Sequence, residues 1–385
     1  MTTASLTMDR PHPDSLLDSG VQDVIGKPLN RIDGPLKVSG GATYAAEYAA
    51  ENLAYGYLVR TTVGAGKVEA LDIAKVRALP GVIDVITDYD VFLRNPQQGG
   101  ETEAPTQGVE TVAYHGEIIA IVVAESYEAA RDAAHQLPVS YSAGAGRFDF
   151  DAVKGEAEKP GEDGATPAHS DIGDLDAAMA AAVFSVDSTY TTPSQNSAAM
   201  EPHASLAMWE GDSLTLYGAY QMPSSDKLQL AAALGVDADK VRIVAAYVGG
   251  GFGSKLGIAP ESVAAAVAAK RLGRPVKAVM ARQQVFDATV RRSNTEQRLR
   301  LAADVDGKLT GVGHETLTSN LPGEEYYEPA GIATHFMYGG DNRRITHDIV
   351  RLDWLLSGSM RAPGEAVGML ALEGAMDELA ERVGV

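Results

Sequence analysis

The chain has 385 residues, with 32 Lys+Arg against 52 Asp+Glu, a formal net charge of −20 and a sequence pI of about 4.8. Hydrophobic residues make up 45% and charged residues 22%, an ordinary globular composition that excludes global disorder and allows two or three domains with real cores. So large a negative charge repels phosphate backbones, and no Lys/Arg cluster stands apart from acidic neighbours, which argues against nucleic acid as a partner.

Cysteine is absent, which removes disulfides, thiolate metal sites, cysteine nucleophiles and iron–sulfur clusters carried on this chain. Any such centre must sit on a partner. The N-terminal MTTASLTMDRPHPDSLLDSG lacks a basic segment followed by an apolar one, and no stretch approaches the roughly 18 apolar residues of a membrane span. The expectation is a cytoplasmic protein with no membrane partner.

Residues 1–24, polar with two prolines, read as a disordered lead. Residues 53–61 (LAYGYLVRT) read as a strand, 68–71 as another, 73–79 as a short helix, and 82–86 as a strand after the Pro80-Gly81 turn. Residues 117–124 (EIIAIVVA) look like a buried strand, Ser126 caps a helix running to His135, and 137–141 form a further strand. Residues 25–145 thus read as a compact mixed domain. Residues 146–172, rich in Gly, Pro and acids without a sustained period, read as a linker to a second domain over 173–385.

In that second domain strands are expected at 184–191, 204–209 and 214–217, then a helix from Ser224 or Ser225 to Gly235, then a strand at 241–248. The next helix has full punctuation: Pro260 in its first turn, Lys270 and Arg271 in its last, Gly273 beyond. A strand follows at 276–280, and Asp306-Gly307 joins RLRLAADV to KLTGVGHETL as a hairpin. The final helix, from about residue 366 to about 382, puts Met369, Leu372, Met376, Leu379 and Val383 on one face.

The segment VRIVAAYVGGGFGSK delivers Gly249, Gly250, Gly251 and Gly253, exposing backbone N–H groups with no side chains in the way. It reads either as a structural turn or as a loop that nests an anion. It matches neither the dinucleotide fingerprint nor the P-loop, which disfavours a nucleotide-dependent dehydrogenase. Gln221, between a strand and a helix, is a loop-satisfying amide or a ligand donor. Met200-Glu201-Pro202-His203 invites a catalytic or metal reading, set against Glu201 accepting backbone N–H groups at a buried turn. Arg361, just before Pro363-Gly364 and the last helix, contacts an oxyanion or makes a surface salt bridge. His115, His135, His314, His335 and His347 lack metal-ligand spacing, so no metal site is assigned, and no G-x-S-x-G elbow supports serine hydrolysis.

Taken in order, these segments resemble the molybdenum-binding subunits of the xanthine dehydrogenase and aldehyde oxidase family. GKPLNRIDGPLKVSGGATYAAEY, LAYGYLVRT and LPGVIDVIT resemble the start of its α/β hammerhead domain. QNSAAMEPHASLAMWEGDSLTLYGAYQMP, VGGGFGSK, RRSNTEQRLRLAADVDGKLTG and MRAPGEAVGMLALEGAMDELA resemble the first part of its molybdopterin-binding domain. The resemblance runs from about residue 25 to the C-terminus and implies an α+β fold.

It also implies that Gly250, Gly251, Phe252 and Gly253 lie against molybdopterin, that Arg361 and Ala362 approach from the other side, and that Gln221 is catalytic, hydrogen-bonding an oxo ligand of the metal. Relatives have Thr or Ser before that glutamine, where this chain has Tyr220. The implied cofactor is molybdenum-molybdopterin in its cytosine dinucleotide form, with FAD and 2Fe-2S on partner subunits, and the implied activity is oxidative hydroxylation of an aldehyde or N-heterocycle. Family subunits are roughly twice as long and carry, in a Gly-x-Gly-Glu motif of the further half, a glutamate acting as general base. Glu365 belongs to a different loop. The expectation is therefore a C-terminal complementing polypeptide or a truncated product, the alternative being a non-catalytic fragment that acts only as an interaction piece.

Overall fold

The computed structural model describes residues 24–87, 111–161 and 167–385, so the lead read over residues 1–24 lies outside it except for Val24. The described residues 24–43 belong to a small unit that includes α1 (Gly34–Val38), with an Asp33–Lys37 ion pair at 2.7 Å. Tyr44–Val385 form the second unit, described from here on.

The alternation read over residues 53–141 takes the form β1 (Ala54–Arg60), β2 (Gly66–Leu71), α2 (Ile73–Arg77), β3 (Val82–Ile86), β4 (Thr111–Val112), β5 (Ile118–Ala124), α3 (Tyr127–His135) and β6 (Val139–Ala143). Local causes fix these ends. Asp72 and Ser126 accept N–H bonds from Lys75 and Ala129 and so cap α2 and α3. Every residue of β5 is buried, as its unbroken apolar run requires. β6 starts later than expected because Pro138 has no N–H for the ladder.

Next come α4 (Phe150–Val153), β7 (His169–Ile172), α5 (Leu175–Ala181), β8 (Phe184–Thr192), β9 (Gln195–Asn196), β10 (Ala204–Glu210), β11 (Ser213–Gly218), α6 (Pro223–Leu234) and β12 (Val241–Val244). They are followed by α7 (Pro260–Leu272), β13 (Val276–Val279), α8 (Arg282–Ala288), β14 (Arg291–Arg292), β15 (Thr295–Ala303), β16 (Leu309–Asn320), β17 (Asn342–Arg351) and α9 (Glu365–Val383). Both α6 and α7 open on proline and stop on a left-handed glycine, Gly235 at φ 63° and Gly273 at φ 62°. The β15–β16 hairpin turns through Gly307 at φ 78°.

A seven-stranded sheet runs β12-β11-β10-β13-β1-β5-β3. Here β1 pairs in parallel with β13, Ala54 opposite Val276, so strands from both halves of the chain share one sheet. Strand side chains alternate between faces. On one face Leu58, Ile118, Ile121 and Val123 pack with Leu214, Leu216, Val263 and Val276; on the other Tyr57, Val59, Ile119 and Val122 pack with Val76, Ala130 and Ala133. The division at residue 145 is thus a boundary along the chain but not across the sheet.

A five-stranded sheet, β7-β17-β16-β15-β8, carries α9, with Leu299, Leu301 and Val312 against Ala371, Leu372, Ala375 and Leu379. Its edge strand β7 lies inside the expected linker. The sequence HSDI has no buried face to announce it; the strand is held by pairing with β17 and by the Asp171–Arg344 ion pair at 3.1 Å. The remaining sheets are β4-β2-β6 and the short pair β14-β9. Among the described residues no helix is long and apolar enough to cross a membrane.

Replacing glycine by alanine inside a helix ordinarily stabilises by about 1 kcal/mol. Gly368 of α9 reverses that sign, because its absent Cβ would lie 1.8 Å from the carbonyl oxygen of Ala330. Gly368→Ala should destabilise by about 1–3 kcal/mol, seen as an earlier midpoint in urea unfolding. An equal or later midpoint contradicts this packing of α9.

Candidate functional site

Because β11 and β12 lie side by side and parallel, the segments leaving their C-terminal ends must meet, a common place for a binding cleft. One segment carries Gln221 and the other the loop 249–253. Gln221 N–H donates to the carbonyl of Lys255 at 2.8 Å, and its side-chain Oε1 accepts from Gly253 N–H at 3.0 Å and Lys255 N–H at 3.3 Å. With Oε1 committed, the amide NH2 of this exposed residue has no partner among the described residues.

The glycines of the loop are explained first by protein packing. A Cβ on Gly249 would lie 2.6 Å from Glu201 Cβ, one on Gly251 2.2 Å from Gln221 Oε1, and one on Gly253 2.3 Å from the carbonyl oxygen of Ser359. Gly250 and Gly253 also need φ of 104° and 101°, and Phe252 stands at 54°. Yet the same turn leaves three consecutive N–H groups, of Gly250, Gly251 and Phe252, without a partner among the described residues. Successive backbone donors left free at such a turn are the kind of group that binds an anion. The structural and the ligand readings therefore describe different atoms of one loop.

A second wall comes from the segment before α9. Arg361 N–H donates to the carbonyl of Phe252 at 2.8 Å, and the Arg361 guanidinium lies 6.0 Å from the centre of the half-exposed Phe252 ring. Arg361 makes no ion pair among the described residues, so the surface salt bridge is not formed. Ala362 holds φ 55°. Beneath them Arg292 donates to the carbonyls of Arg361 at 2.5 Å and Ala362 at 3.4 Å while pairing with Glu328, whose Oε1 also accepts Gly364 N–H at 2.7 Å. Burial pushes the Glu328 carboxyl up, against the pull of Arg292.

The Glu201-Pro202-His203 segment anchors the loop. Glu201 accepts Ala45 N–H at 3.1 Å on Oε1, and on Oε2 takes Gly249 N–H at 2.7 Å and Lys255 Nζ at 2.9 Å. His203 Nε2–H donates to the carbonyl of Ser254 at 2.8 Å, and burial, helped by Lys255, pulls its pKa down to about 4, so the ring is neutral at pH 7. Among the described residues no three His, Asp or Glu side chains form a metal-ligand set. Tyr220 turns away from the cleft: its buried hydroxyl bonds Ser205 Oγ at 2.7 Å and Ser262 Oγ at 3.0 Å, and Gly218 leaves room for its ring.

The residues that the resemblance pointed to, Gln221, Gly250, Gly251, Phe252, Gly253, Arg361 and Ala362, lie close together. Lys255, Arg292 and Glu328 escaped notice. Lys255 and Arg292 sit in the quoted segments VGGGFGSK and RRSN, but only a partner distant in the chain shows that their charges are buried.

A loop whose N–H groups have no partner among the described residues thus lies at the ends of parallel strands, beside an arginine-bearing segment. The profile of the molybdopterin cofactor-binding domain matches residues 158–385, and that of the aldehyde oxidase and xanthine dehydrogenase a/b hammerhead domain matches residues 39–144. The chain belongs to the molybdenum-binding subunits of the aldehyde oxidase and xanthine dehydrogenase family. It is 40% identical over 382 residues to the aldehyde oxidoreductase molybdenum-binding subunit PaoC of Escherichia coli (strain K12), covering 99% of this chain and 51% of that subunit. It is 28% identical to the nicotinate dehydrogenase large molybdopterin subunit of Eubacterium barkeri, covering 94% of this chain and 87% of that one. The solved aldehyde oxidoreductase of Desulfovibrio gigas superposes with a TM-score of 0.80 at 26% identity, over 92% of this chain and 42% of that chain. Quinoline 2-oxidoreductase of Pseudomonas putida 86 shares the fold, with a TM-score of 0.80 at 23% identity over 93% of this chain and 48% of that chain. The chain spans about half the length of the PaoC subunits it matches.

Two glycines separate packing from conformation. Gly235 has φ 63° and nothing within 4 Å of an added Cβ, so Gly235→Ala meets only the left-handed backbone cost of about 1–2 kcal/mol. Gly253→Ala adds the overlap with Ser359 and should unfold at a clearly lower temperature. In an assembled enzyme it should also lower molybdenum content, which Gly235→Ala leaves unchanged. Equal behaviour of the two variants would show that the loop does not depend on contact with the segment before α9.

Proposed function

We propose that this chain supplies one wall of a molybdopterin site that oxidatively hydroxylates an aldehyde or an N-heterocycle within a multi-subunit oxidoreductase. The observation that supports it is one patch holding three free backbone N–H groups and an amide donor fixed in orientation. Its donors suit the group: the three N–H groups and the Gln221 NH2 would donate to its oxygens, with the Arg361 guanidinium at the rim. Bound molybdenum supplies the two-electron oxidation of the substrate carbon.

The chain's own residues bind and orient. The Gly250, Gly251 and Phe252 N–H groups would hold oxygens of the cofactor, and the missing Cβ of Gly251 leaves room for the Gln221 amide beside them. Gln221 presents its NH2 towards an oxygen at the reacting centre, and its Oε1 bonds to Gly253 and Lys255 keep that donor from turning away. The Phe252 ring excludes water beside it. Glu201 and Glu328 are already committed to cations and backbone donors, so neither serves as general base. Where a complementing C-terminal polypeptide exists, it would supply that base and cover Met200 and Met222, both exposed.

The finer cofactor assignments follow the same reading. The cofactor takes the cytosine dinucleotide form, and with no cysteine on this chain the 2Fe-2S centre belongs to one partner subunit and FAD to another, in the cytoplasm. The 40% identity to an aldehyde oxidoreductase subunit favours aldehydes among the two substrate classes.

The isolated chain, given cofactor and an artificial electron acceptor, should show no turnover of aldehydes or purines; steady turnover would overturn the assignment of the base to another polypeptide. In the complemented, molybdenum-loaded enzyme, Gln221→Ala should lower turnover by about 10²–10³-fold, the usual cost of one pre-positioned donor, with metal content retained. Unaltered turnover in a fully loaded variant removes Gln221 from the reacting centre.

A further inference from the structure

The Lys255 side chain is fully buried and Glu201 nearly so, with 0% and 8% of their side chains exposed. A buried ion pair seldom stabilises more than an apolar pair of the same size, so its presence calls for a positional explanation. Its geometry provides one. Lys255 Nζ reaches both Glu201 Oε2 at 2.9 Å and the Glu201 carbonyl at 3.1 Å, while Oε2 also holds Gly249 N–H at 2.7 Å. The first and last residues of segment 249–255 are thereby tied to one residue. The main chain of Lys255 in turn takes the Gln221 N–H at 2.8 Å and donates to Gln221 Oε1 at 3.3 Å.

We propose that the Glu201–Lys255 ion pair is a positioning device that sets which way the Gln221 amide faces. An amide turned over would point its NH2 at Gly253 N–H and Lys255 N–H, donor against donor, and lose both bonds. That discrimination exists only while the two N–H groups stay in place, and the pair holds the end of the loop that carries them. His203 gives a second tie to the same end through Ser254. The inference rests on the reading of Gln221 as the donor at the reacting centre.

The test uses the full chain with ¹⁵N-labelled glutamine, the Gln221 side-chain signal being the one lost in Gln221→Ala. Lys255→Met alone strands a buried carboxylate and lowers overall stability, so the informative variant is Glu201→Gln/Lys255→Met, which removes both charges at similar volume. The amide it places at position 201 keeps only one of the two bonds Glu201 accepts from Ala45 N–H and Gly249 N–H, so the variant should melt somewhat below the wild type. It should also show a mobile Gln221 amide and backbone hydrogen exchange over 249–255 faster by about tenfold or more, with the sheet strands unchanged. A Gln221 amide as ordered as in the wild type, with unchanged exchange, overturns the proposal. So does exchange that accelerates uniformly over sheet and loop, which marks a merely structural pair. These readouts need no cofactor. In the assembled, molybdenum-loaded enzyme the same variant should lower kcat by about tenfold or more at unchanged KM. A mobile amide with wild-type kcat leaves the positioning intact and removes Gln221 from the reacting centre.

Discussion

The carbonyl oxygen of Ser359 occupies the place where Gly253 would carry a side chain, and much of the site follows from that contact. It joins the loop after β12 to the segment before α9, and the Arg361 N–H bond to Phe252 lies beside it. The same device recurs along that segment: a Cβ on Gly364 would lie 2.2 Å from the Pro329 carbonyl oxygen, and one on Gly368 1.8 Å from that of Ala330. Backbone packed on backbone leaves little freedom for either partner. The helix α9 therefore fixes more than its own sheet. Through three missing side chains it fixes the height of the wall opposite Gln221.

Buried cations then do what glycine cannot, which is to hold polar loops at a set distance. Strand β14 consists of Arg291 and Arg292, and neighbouring strand residues point to opposite faces. Arg292 goes one way, to Glu328 and the carbonyls of Arg361 and Ala362. Arg291 goes the other, to the carbonyl of Leu355 at 2.7 Å and Ser319 Oγ at 3.1 Å, with burial pulling its pKa down to about 9. Lys255 is the counterpart on the glycine-loop side. Each cation donates to at least one backbone carbonyl, so each ties irregular segments that no ladder of strand bonds could reach.

What the sequence disclosed was local. The apolar run of β5, the proline and glycine ends of α6 and α7, the Asp306-Gly307 turn and the apolar face of α9 depend on residues close in the chain, and a single sequence displays them. The strand β7 and the sharing of one sheet by β1 and β13 depend on partners far away, and HSDI carries no alternation to betray its partner. The site was legible for a similar reason. Its glycines, Gln221 and Arg361 lie in short segments of distinctive composition, whereas the charges behind them, Glu201 with Lys255 and Arg292 with Glu328, pair across 54 and 36 positions. Tyr220 shows the limit of reading a motif residue by residue: it departs from the family pattern at a position that faces the core.

The electrostatics of this wall run against those of the chain as a whole. A net charge of −20 makes a poor host for an anionic cofactor, yet charges beyond a Debye length of about 8 Å are largely screened at physiological salt. Lys255 and Arg292 are matched by Glu201 and Glu328 and His203 is neutral, while the Arg361 guanidinium has no ion pair and three N–H groups have no partner among the described residues. Backbone donors do not titrate and do not swing away. A wall built from them keeps its polarity across the pH range in which a surface lysine or histidine would change state, and the buried pairs behind it serve to keep those donors where they are.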